Sequence, residues 1–382
     1  MGFHEFSSPY DWSRIAAYKR TAKAAFGGMI DLSVGSPVDP VPDSVRKALA
    51  VAANDPNAYG YPATAGTADL RAAIAEWFSA TRNVDLRAIH ADVVPTVGSK
   101  EGVALMASLL HFGEDDVVVQ PKVSYPTYEI GTQLAGAQVL KVDDVADVAS
   151  WRNVPGVKAV WVNSPCNPTG EVYSAERMAG IVAAVREIGA VVLSDECYAL
   201  MQWRGATNSA DDDPLQSTPC ALRSDVCAGS AEGVLVLYSL SKQSNMAGYR
   251  TAFIAGDESL IASMSAYRKQ IGQIIPGPVQ AAMAAGLRDL ESVKVQHARY
   301  RERLGVLVSA LRAYGYCTDM PDGALYVWVR AKSGDCWTDM EQLAKIGIIA
   351  SPGEFYGAPE CLRFSATASD EAIASAAERL AR

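Results

Sequence analysis

The run Ser239-Leu240-Ser241-Lys242 stands directly after the apolar stretch Val234 to Tyr238, with Asn245, Gly248, Tyr249 and Arg250 close behind. A lysine just past a buried strand, among small polar residues, is badly placed for packing. Burying an ammonium is costly unless it is paired or uncharged. An amine held in a low-dielectric cleft is what Schiff-base chemistry needs. One lysine taken alone is more often a structural or surface residue. A second group, Ser194-Asp195-Glu196-Cys197-Tyr198, closes the apolar run that begins at Ala190. Carboxylates at the C-terminal end of a parallel strand lie where open α/β sheets bind ligands. An Asp there can keep a ring nitrogen protonated by charge pairing. A helix cap or loop carboxylate fits the same residue types equally well, and Tyr198 equally suits packing.

Two further groups sit at strand ends. Asn163-Ser164-Pro165-Cys166-Asn167-Pro168-Thr169-Gly170 follows Lys158 to Val162. Asn flanking a Pro-rich turn shapes a loop and offers both a donor and an acceptor. Turn formation alone also explains most of these residues. Thr96-Val97-Gly98-Ser99-Lys100-Glu101 precedes an apolar helix pattern. Gly98 lets the backbone turn closely, Ser99 can cap, and the free N–H groups of a helix start cradle phosphate. This is neither a Walker loop nor a dinucleotide fingerprint. Phosphate cradle, ring-holding carboxylate, amide and lysine are together the parts of a pyridoxal 5'-phosphate (PLP) site.

These groups need strands and helices to carry them. Strands are expected at Asp116 to Gln120, Lys158 to Val162, Ala190 to Ser194, Val234 to Tyr238 and Ala252 to Ala255. Helix patterns run from Ser99 to Leu110, Tyr128 to Leu134 and Ser174 to Ile188, the last capped by Ser174 with Glu176 in its first turn. Apolar strands alternating with helices read as a mostly parallel, buried sheet. The C-terminal third changes character. A long charged helix pattern spans Val293 to Tyr314. Strand patterns follow at Tyr326 to Arg330, Ile346 to Ala350 and Leu362 to Ser365, and a last helix at Asp370 to Leu380. A large α/β domain over 52–277 and a small α+β domain from 1–51 plus 278–382 are expected.

Composition narrows the field. The 382 residues carry a net charge of -9, with 49% hydrophobic and 20% charged residues. That is a globular composition and a poor one for binding nucleic acid or an anionic membrane. Seven cysteines without a CxxC pair suggest neither a disulfide framework nor a zinc site, and no metal is expected. The start lacks an apolar export segment, and no run is long enough to span a bilayer. A cytoplasmic enzyme is expected.

The ordered set of motifs resembles the fold-type I PLP enzymes, class I/II aminotransferases, over nearly the whole chain. It comprises Gly35, Tyr61 with Gly66, Gly98-Ser99-Lys100, Ser124 to Tyr128, Asn167 to Gly170, Asp195 to Tyr198, Ser239 to Lys242, Arg250 and Arg363-Phe364-Ser365. The resemblance implies an α/β fold with a central, mostly parallel seven-stranded sheet and a smaller α+β domain. It implies that Lys242 is the Schiff-base lysine and proton carrier, and that Asp195 pairs with the pyridine nitrogen. Tyr198 and Asn167 would donate to the ring hydroxyl, and Tyr125 would stack on the ring. Gly98, Ser99, Lys100, Ser239 and Arg250 would hold the phosphate. Tyr61 would reach the phosphate of a neighbouring subunit, which implies a homodimer. Arg363 would clamp the substrate α-carboxylate through its planar fork, near the backbone of Gly35, with Asn167 also at the substrate.

Longer stretches, among them Ile30 to Pro42, Tyr59 to Arg71, Ser239 to Arg250 and Ser351 to Gly357, resemble the actinobacterial succinyldiaminopimelate aminotransferases. Members of that family exchange nitrogen between glutamate and N-succinyl-2-amino-6-oxopimelate on the diaminopimelate route to lysine. Such a substrate needs a second cationic contact for its distal carboxylates. Arg20, Lys23, Arg268 and Lys269 are candidates, and a solvated helix face accounts for them equally well. Aspartate, alanine or aromatic aminotransferases and same-fold PLP lyases share the core set. Cys166 and Cys197 read as small packing residues, and Glu196 as either a supporting group or an exposed one.

Overall fold

The computed structural model describes residues 11–203, 215 and 218–382. The expectation about the chain's start rests partly on residues 1–10, which lie outside the described residues. The chain divides into two compact units. The larger is Pro37–Arg301 with Asp322–Ala324. The smaller is the described part of Met1–Ser36 with Glu302–Pro321 and Leu325–Arg382. The sequence reading put the breaks at 51/52 and 277/278. The units divide at 36/37 and 301/302, because helix Asp43–Ala53 packs against helix Gly277–Arg288 within the larger unit.

Seven strands build the sheet of the larger unit: β1 Ala91–Val97, β2 Val117–Pro121, β3 Gln138–Val142, β4 Val157–Asn163, β5 Val191–Asp195, β6 Val234–Ser239 and β7 Thr251–Asp257. Their spatial order is β1-β7-β6-β5-β4-β2-β3. The run β6 to β3 is parallel throughout. Only β7 is reversed, antiparallel to both β1 and β6. Every residue of β6 is buried. Val234, Val236 and Tyr238 join the core on one face, and Leu235 and Leu237 the core on the other. Side chains alternate with period two and helices cover both faces, so the strand is continuously apolar. Helix Ala175–Glu187 turns Met178, Ile181, Val182 and Val185 toward the first core. Its Ser174 cap accepts from the Arg177 amide at 3.2 Å, so the expected start is observed. Helix Ser99–Leu109 turns Val103, Met106 and Leu109 toward the second core.

The smaller unit carries a three-stranded antiparallel sheet with Cys361–Ser365 between Ser351–Pro352 and Tyr326–Arg330. Ile30–Asp31 pairs in parallel with Ile348–Ile349. Of the strand expected over Ile346 to Ala350 only Ile348–Ile349 is observed, and the next short strand, Ser351–Pro352, belongs to the other sheet. Gly347 takes φ +78° at the turn before the first of them. Along Cys361–Ser365, Leu362 and Phe364 are fully buried, so Arg363 projects from the opposite face of the strand. Among the described residues no helix is long and apolar enough to cross a membrane.

Candidate active site

Five parallel strands end at Pro121, Val142, Asn163, Asp195 and Ser239. Two reversals leave β1 running in the same sense, so Val97 ends at that edge too, and β7 begins there. The segments carrying Gly98, Tyr125, Asn167, Tyr198, Lys242 and Arg250 all leave or enter the sheet at this one edge. Register sets the neighbours. Asn163 lies opposite Asp195, Ser239 opposite Ala252, and Val97 opposite Thr251.

Asp195 is buried. Its Oδ2 accepts from the Tyr128 hydroxyl at 2.8 Å and its Oδ1 from the Cys197 amide at 3.2 Å. Burial pushes its carboxyl above the ordinary aspartate range, and the Tyr128 and Cys197 donors pull the other way. Tyr128 is pushed well above its usual value, first by burial and then by the Asp195 charge, so it stays a donor. Its ring stacks on Trp161 at 4.4 Å and meets the edge of Tyr125 at 5.7 Å. Sequence reasoning missed Tyr128. The available signal was its place at a helix start three residues after Tyr125, whose carbonyl accepts from the Tyr128 amide at 3.2 Å. Asn163 Nδ2 donates to the Asp195 carbonyl at 2.8 Å, and its Oδ1 accepts from the Asn167 amide at 2.8 Å. The turn carrying Asn167 is thereby fixed to the strand carrying Asp195.

Gly98 has φ +79°, and a Cβ there would stand 2.3 Å from Arg250 Nη2. The guanidinium thus lies against the backbone where the helix begins. The sequence allows Ser99 to cap; in the structure Gly98 is the N-cap, with no side-chain bond, and Ser99 is the first helical residue. The first amides of the helix therefore lack a cap from the Gly98 position. Arg250, itself left-handed at φ 57°, donates to the Ala247 carbonyl at 2.9 Å and toward the Val97 carbonyl at 3.5 Å. Ser239 accepts from the Ser241 amide at 3.1 Å, which starts the four-residue helix Leu240–Gln243 that bears Lys242. Lys242 is half-buried.

Within the smaller unit, Arg363 is buried and donates to the Ser33 carbonyl at 2.9 Å. Its guanidinium lies 3.9 Å from the Tyr326 ring centre and 4.7 Å from that of Tyr356. A Cβ at Gly35 would meet the Tyr326 hydroxyl at 2.1 Å. Gly35 and Arg363 are therefore brought to one seat. Tyr61, in the larger unit, is fully exposed and joins none of these groups.

The description "aminotransferase class I and II" matches residues 27–380. The chain belongs to this family. The aminotransferase is 40% identical over 97% of its length to a 4-dedimethylamino-4-oxo-anhydrotetracycline transaminase, OxyQ, of Streptomyces rimosus, covering 98% of that protein. It is 39% identical over 97% of its length to a probable aminotransferase of Mycobacterium tuberculosis, covering 84% of that protein. A probable N-succinyldiaminopimelate aminotransferase from Thermus thermophilus superposes with a TM-score of 0.83 at 27% identity, over 97% of this chain and 99% of that one. The fold is fold-type I, and the enzyme is PLP-dependent.

The residues present fit that cofactor. Asp195 is a buried carboxylate whose two donors are neutral, so it suits a protonated ring nitrogen. Gly98 leaves room that a side chain would fill, beside a guanidinium and a helix start, which suits a phosphate. Among the described residues no cluster of His, Cys, Asp and Glu has metal-ligand geometry.

Several candidates of the aminotransferase turn out otherwise engaged. Arg268 is fully buried, and its fork holds both oxygens of Glu101 at 2.7 and 3.2 Å. It supports the helix Ser99–Leu109 and is not a solvated contact for a distal carboxylate. Arg20, Lys23 and Lys269 are exposed. Glu196 is buried. It pairs with Arg82 at 2.8 Å and accepts from Ser194 Oγ and the Ala221 amide. Arg82 also donates to Thr218 Oγ1 at 2.8 Å. Nothing in the sequence around Arg82 marks it as this partner. Burial pushes the Cys166 thiol up to about 11, and the Cys197 thiol well above its usual value. Both are protonated packing groups at neutral pH.

Proposed function

We propose that the enzyme transfers the amino group of glutamate to N-succinyl-2-amino-6-oxopimelate, giving 2-oxoglutarate and N-succinyl-LL-2,6-diaminopimelate. The observation that carries this reading is the seat around Arg363. Both amino acids bear a carboxylate next to the reacting carbon. A buried arginine held by the Ser33 carbonyl and two tyrosine rings is pre-organised to grip one. The likeness to the probable N-succinyldiaminopimelate aminotransferase of Thermus thermophilus supports the substrate.

In this reading Lys242 would hold the cofactor covalently, and its amine, when free, would move the proton at the substrate Cα. When bound, PLP supplies an electron sink for the charge that develops at that carbon. Asp195 holds the ring nitrogen, Tyr198 and Asn167 the ring hydroxyl, and Tyr125 the ring face. The Gly98, Ser99 and Lys100 turn, with Ser239 and Arg250, holds the phosphate. Gly35 and Asn167 help to seat the substrate. The enzyme works as a cytoplasmic homodimer in which the exposed Tyr61 reaches the phosphate of the neighbouring site.

The whole-length 40% identity to OxyQ favours a second reading, in which the acceptor is a bulky polycyclic ketone. The test is single-turnover absorbance on the PLP-loaded protein, with glutamate and N-succinyl-LL-2,6-diaminopimelate added separately. Conversion to the pyridoxamine form by both supports the proposed pair. Conversion by glutamate alone sinks it, and a 4-oxo-anhydrotetracycline acceptor then decides the second reading.

A further inference from the structure

Helix Leu240–Gln243 is a single turn, so its last carbonyls cannot all be satisfied within it. The Met246 amide, which a longer helix would aim at Lys242, bonds to the Leu240 carbonyl instead, at 3.4 Å. The Lys242 carbonyl accepts from the hydroxyl of Tyr300 at 3.3 Å. Tyr300 is fully buried on the long helix Leu290–Ala313. The same hydroxyl lies 3.2 Å from Asn245 Oδ1, so its single proton is shared between the two acceptors. Asn245 takes φ 55°, where the chain reverses after Lys242. Its Nδ2 faces the Pro40 carbonyl at 3.2 Å and Gln296 Oε1 at 3.1 Å. A carbonyl can only accept, which fixes the amide's orientation and leaves Oδ1 for the tyrosine. Gln296, one turn before Tyr300, donates to Asp39 Oδ2 at 2.8 Å. Arg299 Nη1 reaches Asp39 Oδ1 at 3.4 Å. Asp39 and Pro40 lie in the strap Pro37-Val38-Asp39-Pro40-Val41-Pro42, where three prolines restrict the backbone.

We propose that this relay, Asp39 to Gln296 to Asn245 to Tyr300, is a positioning device for Lys242. It fixes the turn that bears the lysine and makes the lysine's placement depend on the proline strap. None of its side chains touches the reacting atoms. The inference rests on reading Lys242 as the cofactor-bearing lysine. A lysine that must alternate between holding the ring and moving a proton needs its backbone held still while its side chain swings.

The test uses Tyr300→Phe and Gln296→Met, which keep volume while removing the bonds. Amide hydrogen exchange is followed over residues 240–246 in the full chain, with and without PLP, and steady-state rates are measured with glutamate. Losing one link is expected to speed exchange there by about fivefold. In both variants kcat should fall by roughly the same factor, with KM nearly unchanged, since substrate binding is untouched. Unchanged exchange in Tyr300→Phe overturns the proposal. Faster exchange in Tyr300→Phe with a silent Gln296→Met also overturns it, because the strap would then not be connected. Lys242→Ala is the control for the underlying reading. If its visible PLP band persists, that reading fails, while the exchange data still judge the relay.

Discussion

Tyr128→Phe removes one hydroxyl and leaves the ring to stack on Trp161 and meet Tyr125. The hydroxyl donates to a buried carboxylate at 2.8 Å. A hydrogen bond to a charged acceptor contributes about 2 kcal/mol. The bond favours the ionised form of Asp195, and burial already holds this carboxyl above its usual value. The variant therefore raises it further. A raised carboxyl favours the folded protein at low pH, and that advantage is lost as pH climbs from the unfolded aspartate value through the folded one. The cost of the substitution in the PLP-free protein is thus absent in acid and fully present at neutral pH. In the proposed pairing of Asp195 with the ring nitrogen PLP binding needs the carboxylate, so the acid limb of its pH dependence should move up. The assay is PLP titration by fluorescence between acid and neutral pH, with melting curves of the PLP-free protein alongside. An acid limb that stays in place, or a melting deficit equal at both ends of the range, refutes the reasoning.

Arg82→Met leaves Glu196 buried without its cation and should cost about 3–5 kcal/mol, read as a large drop in melting temperature. Gly98→Ala forces a side chain into a left-handed position and against Arg250, so it should cost more than about 1 kcal/mol and weaken PLP binding in an equilibrium titration. Arg363→Lys keeps the charge and loses the fork, so kcat/KM for glutamate should fall by roughly tenfold to a hundredfold while PLP affinity holds.

The strand-end motifs were legible because a parallel sheet collects its C-terminal ends at one edge, and short apolar runs locate those ends. Lys242, Asp195 and Asn167 each follow such a run. The strands β1 and β3 were harder to see. Pro95 interrupts the first, and the second is half exposed along much of its length. Partners contributed by helices were not legible. Tyr128, Arg82, Arg268 and Tyr300 sit in ordinary helical patterns, and only three-dimensional packing shows that each faces a polar group on another segment. The seat at Arg363 depends on Ser33, Gly35, Tyr326 and Tyr356, which meet through pairing of short strands that carry little pattern.

The reversed strand β7 also imposes a schedule. Among the described residues it is the sole sheet neighbour of β1, and Arg250 reaches Val97 across 153 positions of sequence. At about 5–20 residues per second, a ribosome needs roughly 8–30 s to bridge that gap. Throughout this interval the nascent chain displays an apolar edge with no partner, and the glycine turn faces no guanidinium. With Arg250 in the proposed phosphate seat, that seat is complete only once the chain reaches the last strand of the sheet. A product released before Arg250 would carry every earlier motif and lack the guanidinium that lies beside Gly98.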